Sequence, residues 1–258
     1  IGPKIGEMAC GEYGEGKMTE PLEIVKEINI YLSTLNKNKK FKALVTAGPT
    51  NEYIDPVRFI TNKSSGKQGY EIAIALNKLG VKTTLIAGPS RFLTPKGIIV
   101  KKITSADEML DEVKKTLPVD IAVSAEAVTN LRAAEKSKKK IKKDKLDFKS
   151  INFIQSNDIL EFISKNNKDR PRIVAGFSAE TEDLIKNSIK KMKNKNCDLI
   201  FANDVSKKGI GFNSDYNKIS VIDQKGSVKK IPKNKKSFIA NKIAQILLDK
   251  LIDDRNIN

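Results

Sequence analysis

LVTAGPTNEYIDPVRFITNKSSGKQG, residues 44–69, joins an apolar run typical of a buried strand to a Gly-Pro-Thr turn and a polar loop. From Ser64 onward an amphipathic run begins, with Ile72, Leu76 and Leu79 on one face, and this spacing predicts a helix. The first N–H groups of a helix are unpaired and its dipole is positive there, so phosphate or carboxylate binds at such a point. The stretch therefore predicts an anion site and a phosphorylated ligand.

Strand and helix patterns alternate through the rest of the chain. Short apolar runs predict strands at 41–47, 81–87, 98–103, 120–125, 172–177 and 197–202. Amphipathic runs predict helices at about 21–35, 66–79, 181–195 and 238–252, with another after the capping-box pattern of Ser105 and Glu108. A hairpin is predicted at 218–231. Such alternation favours right-handed βαβ units around a mostly parallel sheet.

Composition excludes several kinds of site. The chain of 258 residues is 39% hydrophobic and contains no histidine, which removes Ser-His-Asp catalysis, Cys-His catalysis and His-ligated metals. Cys10 and Cys197 are the only cysteines, too few for a structural zinc site or a disulfide framework. No apolar run approaches the ~20 residues that span a bilayer, and no signal-peptide pattern is present. We therefore expect a cytoplasmic protein with no membrane segment.

The net charge of +17 has two interpretations. A basic chain can bind an anionic partner, either nucleic acid or a phosphorylated small molecule. Alternatively, lysines are simply spread over solvated faces. Aromatic residues are only 6%, tryptophan is absent, and neither a zinc-finger nor an RNP-type pattern is present, so we expect no nucleic-acid partner.

Several short motifs occur in an order that resembles one family. The motifs are 47–50 (AGPT), 55–58 (DPVR), 61–67 (TNKSSGK), 140–143 (KIKK), 176–181 (GFSAET), 202–206 (ANDVS) and 211–215 (GFNSD). Over residues of about 40 to 250 they resemble the bacterial phosphopantothenate–cysteine ligases, also called phosphopantothenoylcysteine synthetases, of coenzyme A biosynthesis. The resemblance implies a Rossmann-like three-layer α/β sandwich with a mostly parallel sheet. It also implies a β-rich projection, about 146–154, that helps form a homodimer.

The first residues resemble a different part of the same system. In most bacteria the ligase is the C-terminal half of a bifunctional protein whose N-terminal half is an FMN-dependent decarboxylase. Residues 8–18 look like the flap that ends that decarboxylase, so we expect a flap or linker remnant at 1–20 and a ligase domain at 21–258. Cys10 would be the proton donor of the decarboxylase, with FMN required only if that domain is present. The alternative is an inert linker thiol.

The resemblance implies a reaction in two steps. The carboxylate of 4′-phosphopantothenate attacks the α-phosphate of CTP, giving an acyl-cytidylate and pyrophosphate, and the amine of L-cysteine then displaces CMP. Such chemistry needs cations and donors for the phosphates and a divalent metal, Mg²⁺ or Mn²⁺, whose protein ligands the sequence does not identify.

The resemblance also carries over site residues. Asn62, Lys140 and Arg58 would be catalytic, with Arg58, Asn62 and Ala127 binding the acyl substrate. Each catalytic candidate has a plain structural alternative: Asn62 as a turn asparagine, Lys140 as one lysine of a solvated run, and Arg58 as a member of a surface salt bridge. The expected nucleotide-binding residues are Gly48, Ser64, Ser65, Gly66, Ser124, Ala125, Glu126, Asn130, Lys140, Asn157, Asp158, Ile159, Leu160, Phe177, Lys191 and Lys195.

Some of these residues also have ordinary structural explanations. Phe177 is equally typical of core packing, and Asn157 of a helix N-cap. Lys191 and Lys195, four apart, share one helical face, but other lysines nearby imitate this spacing.

The chain departs from the family pattern at Glu126, where alanine is expected, and at Asn130, where an aspartate is expected. A buried Glu126 near phosphates is costly unless it is protonated, paired or metal-bound, or points away. Both changes put the preference for CTP over ATP in question.

Two other classes of function compete with the ligase. A dinucleotide-dependent oxidoreductase is disfavoured because the first turn is Gly-Pro-Thr rather than Gly-x-Gly-x-x-Gly. A basic nucleic-acid-binding module would show a steep salt dependence of its affinity.

Overall fold

The computed structural model describes residues 1–8, 10–142, 151–206, 211 and 214–256, without the side chains of 255 and 256. The helices of this part are α1 (Pro21–Asn38), α2 (Lys67–Lys78), α3 (Ala106–Thr116), α4 (Ile159–Ser164), α5 (Leu184–Asn194) and α6 (Lys236–Asn256). The strands are β1 (Lys4–Glu7), β2 (Tyr13–Lys17), β3 (Lys42–Pro49), β4 (Asn51–Tyr53), β5 (Phe59–Thr61), β6 (Lys82–Ala87), β7 (Ile99–Lys102), β8 (Ile121–Ala127), β9 (Leu131–Ala133), β10 (Phe153–Gln155), β11 (Ile173–Glu180), β12 (Leu199–Asp204), β13 (Tyr216–Asp223) and β14 (Val228–Lys235).

Eight of the described strands form the central sheet, in the spatial order β14-β13-β12-β11-β8-β3-β6-β7. Neighbours from β12 to β7 are parallel, whereas β13 and β14 join antiparallel at one edge. Numbered along the chain, the parallel strands follow the order 3-2-1-4-5-6 of a doubly wound fold. The predicted α/β class with a mostly parallel sheet is confirmed.

Helices cover both faces of this sheet. On one face α2 and α6 bury Ile72, Leu76 and Leu247 against the strands. On the other face α3, α4 and α5 contribute Met109, Ile163 and Met192. Because apolar side chains of the helices cover each face of the sheet, a ligand can reach the sheet only at the ends of the strands.

Helix α2 lies unusually close to β3. A Cβ atom added to Gly69 would lie 2.5 Å from the Cβ of Ala47, so only glycine permits this approach. The contact fixes the start of α2 directly above the end of β3.

The structure differs from the predictions mainly between the elements of the sheet. The polar loop after Thr50 contains the paired strands β4 and β5, with the rings of Tyr53 and Phe59 packed 5.3 Å apart. Helix α5 begins three residues later than expected, because Asp183 has a φ of +47°. The Ser105 hydroxyl caps α3 as predicted, but the Glu108 carboxylate accepts a hydrogen bond from the N–H of Thr104.

The ends of the chain were predicted only coarsely. Residues 1–20, expected as a flap or linker, contain the antiparallel pair β1 and β2. The predicted helix at 21–35 is α1, whose apolar side chains Leu22, Ile30 and Leu32 are exposed. Of the expected projection, β10 pairs with β9, and residues 143–150 lie outside the described residues. Within the described part, no helix combines the length and apolar character needed to cross a membrane.

Candidate functional site

A cavity of about 360 Å³ opens at the carboxyl ends of the parallel strands. Its walls are the loop before α2, the end of β8, the start of α4 and the ends of β11 and β12. Strands β3 and β8 are neighbours here, and the helices that follow them, α2 and α4, lie on opposite faces of the sheet. In open α/β sheets, ligands bind in the crevice between two such strands, at the point where the chain connections pass to opposite faces of the sheet.

Two glycines with positive φ angles shape the wall of the cavity at the start of α2. Gly48 and Gly66 have φ angles of +83° and +76°, and a Cβ added to Gly66 would lie 3.0 Å from the Cα of Gly48. The hydroxyls of Ser64 and Ser65 accept hydrogen bonds from the N–H groups of Gly66 and Lys67. The two glycines therefore bring the positive end of the α2 dipole to the cavity wall, as the motif predicted.

Asn62 bridges two walls of the cavity. Its Nδ2 donates to the carbonyl oxygens of Ala127, at 3.2 Å, and Val128, at 3.1 Å. Because these contacts use both donors of the amide, its Oδ1 is the atom left to face a ligand.

Glu126 is half-buried and lies in the lining of the cavity. The Thr46 hydroxyl, on the neighbouring strand β3, donates to its carboxylate. Burial raises the pKa of Glu126, although the Thr46 hydrogen bond and the Lys191 ammonium favour its charged form. The unexpected glutamate is thus accommodated by burial, which favours its protonated form, together with a hydroxyl donor.

The α4 wall is held by ionic and polar contacts. Asp158, not Asn157, is the N-cap of α4, accepting from the N–H of Glu161 at 2.8 Å. The Asn157 Nδ2 instead donates to Asp107 at 2.7 Å. Lys195 pairs with Asp158 at 2.9 Å and with Glu161 at 2.6 Å, which ties the end of α5 to the start of α4.

Phe177 and Lys191 form the wall between β11 and α5. The Phe177 ring packs on Phe201 with 5.3 Å between the ring centroids. The Lys191 Nζ donates to the Phe177 carbonyl at 2.9 Å, which holds the ammonium at the cavity. A flat apolar ring beside a cation suits a base joined to a phosphate.

Most of the predicted site residues meet in this one cavity. Those in its lining are Asn62, Ser64, Ser65, Gly66, Ser124, Ala125, Glu126, Ala127, Asn130, Asn157, Asp158, Ile159, Leu160, Phe177 and Lys191. Their chemical roles remain predictions.

Five predicted residues lie outside the lining. Gly48 packs against Gly66, and Lys195 forms ion pairs with Asp158 and Glu161. Arg58 contacts Asp55, whose carboxylate lies 3.4 Å away, and the carbonyl of Ile141 at 3.2 Å, so its guanidinium lies beside the segment of exposed Lys140. Cys10 is exposed at the turn between β1 and β2.

Sequence reasoning missed a second set of lining residues: Lys67, Gln68, Val128, Gln155, Ser156, Ala179, Glu180, Asn203, Gly211, Asn217 and Lys236. Lys67 and Gln68 directly follow the Ser-Ser-Gly motif, which could have signalled them. Asn203 belongs to a recognised motif but had no assigned role. No local pattern marks Lys236, one of many lysines near the end of the chain.

Three polar atoms in the lining lack partners among the described residues: the hydroxyls of Ser124 and Ser156 and the Oε1 of Gln68. Buried polar atoms normally have hydrogen-bond partners, so unpaired ones in a cavity wall suggest a polar ligand. The described residues include no cluster of three or more His, Cys, Asp or Glu side chains placed to hold a metal ion.

Comparison with known proteins identifies the family. The sequence family described as the DNA/pantothenate metabolism flavoprotein C-terminal domain matches residues 38–251. The coenzyme A biosynthesis bifunctional protein CoaBC of Vibrio vulnificus (strain CMCP6) is 40% identical over 244 residues, 94% of this chain and 60% of that protein. The CoaBC of Escherichia coli (strain K12) is 37% identical over 261 residues, 99% of this chain and 63% of that protein.

A solved structure agrees with the sequence comparison. The C-terminal domain of a coenzyme A biosynthesis bifunctional protein CoaBC matches with a TM-score of 0.70 and 32% identity, covering 84% of this chain and 99% of that one. This chain spans about three fifths of the two full-length relatives and nearly all of the solved domain. It therefore belongs to the DNA/pantothenate metabolism flavoprotein C-terminal domain family, as a relative of the C-terminal domain of CoaBC.

Proposed function

We propose that this chain is a ligase that joins 4′-phosphopantothenate to L-cysteine through an acyl-cytidylate made from CTP. The products are 4′-phosphopantothenoylcysteine, CMP and pyrophosphate. The observation that carries the proposal is the single cavity, in which the Ser64–Gly66 loop, Asn62 and the wall of Phe177 and Lys191 meet. Membership of the CoaBC family supports this assignment.

In the first step a carboxylate oxygen attacks the α-phosphorus, the bond to the bridging oxygen breaks, and pyrophosphate leaves. The start of α2 and Lys191 offset the negative charge of the phosphates. Phe177 and the start of α4 receive the base, where backbone groups of 157–160 contact its edge.

In the second step the cysteine amine attacks the acyl carbon, CMP leaves, and the amine loses a proton. Asn62 and Ala127 hold the acyl group. The Asn62 amide is fixed to the carbonyls of Ala127 and Val128, so it is positioned in advance. The carboxylate nucleophile of the first step needs no base, and the proton that the amine loses in the second step passes to solvent water, so the chemistry does not require a histidine.

A divalent cation, Mg²⁺ or Mn²⁺, would enter with the nucleotide. Mg²⁺ is commonly bound through one or two carboxylates together with substrate phosphates and water. Glu180 and Asp158 are carboxylates of the lining that fit this role, although each already has a partner, Ser178 or Lys195. The cation would neutralise charge on the phosphates.

Base selection depends on Glu126 and Asn130. Burial raises the pKa of Glu126, which favours the neutral acid, and a neutral acid would not repel a triphosphate. Asn130 offers both a donor and an acceptor where an aspartate would only accept. We therefore propose that the site keeps the CTP preference.

A second copy of the chain would complete the site. Arg58 and Lys140 lie together but outside the lining of their own cavity. The neighbouring β9–β10 pair exposes Leu131, Phe153 and Ile154, an apolar surface that a homodimer would cover. We propose that dimerisation brings Arg58 and Lys140 to the partner's cavity.

Pyrophosphate release tests the function. The assay uses 4′-phosphopantothenate and Mg²⁺ with CTP or ATP, with and without L-cysteine. We expect release with CTP that becomes multiple-turnover only when cysteine is present. Faster release with ATP would retain a ligase but reverse the assigned base preference.

A matched pair of variants ties activity to the cavity. Lys191→Met removes the cavity ammonium and should abolish release at limiting CTP. Lys190→Met removes the same charge from an exposed neighbour and should leave the rate unchanged. No release by the wild type with either nucleotide would refute the proposal, and a salt-dependent affinity for nucleic acid would then be measured.

A further inference from the structure

Lys236 is a buried lysine in the wall of the cavity. It begins α6, is only 5% exposed, and belongs to the lining. Its Nζ donates to the carbonyl oxygen of Gly211 at 2.9 Å, which uses one of three N–H donors. Among the described ion pairs, none includes Lys236.

The nearest acidic group is already engaged. Asp215 pairs with Lys67 at 2.6 Å. Burial lowers the pKa of Lys236, the Lys67 ammonium lowers it further, and Asp215 only partly opposes these effects. A buried ammonium without a carboxylate partner is costly, which favours an anion arriving from the cavity.

The local frame holds Lys236 beside the start of α2. The Gln68 Nε2 donates to the carbonyl of Lys236 at 3.4 Å, whereas the Gln68 Oε1 has no partner among the described residues. The opposite ammonium in the lining, that of Lys191, comes from a helix on the other face of the sheet. A polyanion in this cavity would therefore meet a cation from each face.

We propose that Lys236, together with Lys67 and the first turn of α2, binds a phosphate group of the substrates. This inference rests on the proposed function and adds Lys236, which lies in none of the family motifs. The phosphate could be a terminal phosphate of the nucleotide or the 4′-phosphate of the acyl substrate, since both present the same dianionic group.

The test compares Lys236→Met with Lys235→Met by calorimetric titration. Methionine keeps the length of the buried side chain, and Lys235 is the exposed neighbour that carries the same charge. The ligands are CTP, CMP, inorganic pyrophosphate and 4′-phosphopantothenate, without divalent metal. A charge-assisted contact predicts affinity about ten- to a hundredfold weaker for Lys236→Met and unchanged for Lys235→Met.

The pattern of losses identifies the phosphate. Weaker binding of CTP and pyrophosphate with unchanged CMP supports a terminal nucleotide phosphate. Weaker binding of 4′-phosphopantothenate alone supports the 4′-phosphate. Unchanged affinity for all four ligands, or an equal loss for CMP, would overturn the proposal.

A second variant and a stability measurement separate binding from folding. Lys236→Gln retains a donor for the Gly211 carbonyl and should lose the same affinity while unfolding at the wild-type temperature. A variant that loses thermal stability without ligand and still binds both pyrophosphate and 4′-phosphopantothenate as tightly as the wild type would overturn the subsite. If wild-type protein is stabilised by pyrophosphate and Lys236→Met is not, the subsite stands even where the ligation assay fails.

Discussion

Replacing Glu126 with glutamine should stabilise the protein at alkaline pH. Burial raises the pKa of the Glu126 carboxyl group in the folded protein. As the pH rises past the ordinary glutamate pKa, the unfolded chain releases a proton that the folded chain keeps. The free energy of unfolding therefore falls with pH until Glu126 ionises in the folded state.

The size of the effect follows from that one proton. Between the unfolded and folded pKa values, the wild type loses about 1.4 kcal/mol of stability per pH unit from this group. Glutamine retains an oxygen that accepts from the Thr46 hydroxyl but carries no charge, so Glu126→Gln escapes the loss. The stability of the variant minus that of the wild type should therefore rise with pH and level off above the folded pKa.

Urea unfolding of both proteins, from about pH 5 to about pH 8, measures this difference, and the groups that both proteins share cancel. Thr46→Val provides the opposite perturbation, because it removes a donor that favours the charged carboxylate. Its decline in stability should extend to higher pH than that of the wild type. A difference between Glu126→Gln and wild type that stays flat over this range would refute a raised pKa for Glu126 in the folded protein.

Three further predictions concern the cavity walls. Asn62→Asp loses both donors to the Ala127 and Val128 carbonyls, so it should slow turnover of the acyl intermediate more than it weakens CTP binding; an unchanged steady-state rate would contradict the role of Asn62. Gly69→Ala places a Cβ 2.5 Å from that of Ala47 and should destabilise by about 1–3 kcal/mol in thermal unfolding, whereas Gly2→Ala, which meets no atom within 4 Å, should not. Hydrogen bonds from Lys165 and Lys195 hold the pKa of Glu161 at about 2, so Lys195→Met should raise that pKa in an NMR titration and should lower CTP affinity as the start of α4 loosens. The control Lys165→Met should also raise the Glu161 pKa but leave CTP affinity unchanged. An equal loss of affinity in both variants would exclude the positioning role of Lys195.

Local sequence patterns were sufficient for the parallel sheet and for one wall of the cavity. Hydrophobic periodicity depends on neighbours within a few residues, so it marked the strands of the parallel sheet and most of the helices that cover it, although the short helix α4 was not predicted. The Ser64–Gly66 loop was also visible, because a strand, a glycine turn and a helix start follow one another directly. The predicted anion site is therefore a property of one continuous segment.

Other features were decided only when distant segments packed together. Thr46 and Glu126 meet because β3 and β8 are neighbours in the sheet, and that contact makes an otherwise costly glutamate tolerable. Arg58 and Lys140, chosen from their motifs, lie outside the lining, and Arg58 donates to the carbonyl of Ile141, the residue that follows Lys140.

Lys236 is the clearest example of a residue that local sequence patterns could not identify. In the sequence it is one of 48 lysine and arginine residues and carries no distinguishing pattern. The packing of α6 against α2 buries it in the cavity wall. The sequence by itself determined the class of fold and the loop that forms one wall of the cavity, whereas the tertiary structure decided which charges lie in the cavity lining, because burial and pairing depend on contacts between residues far apart in the chain.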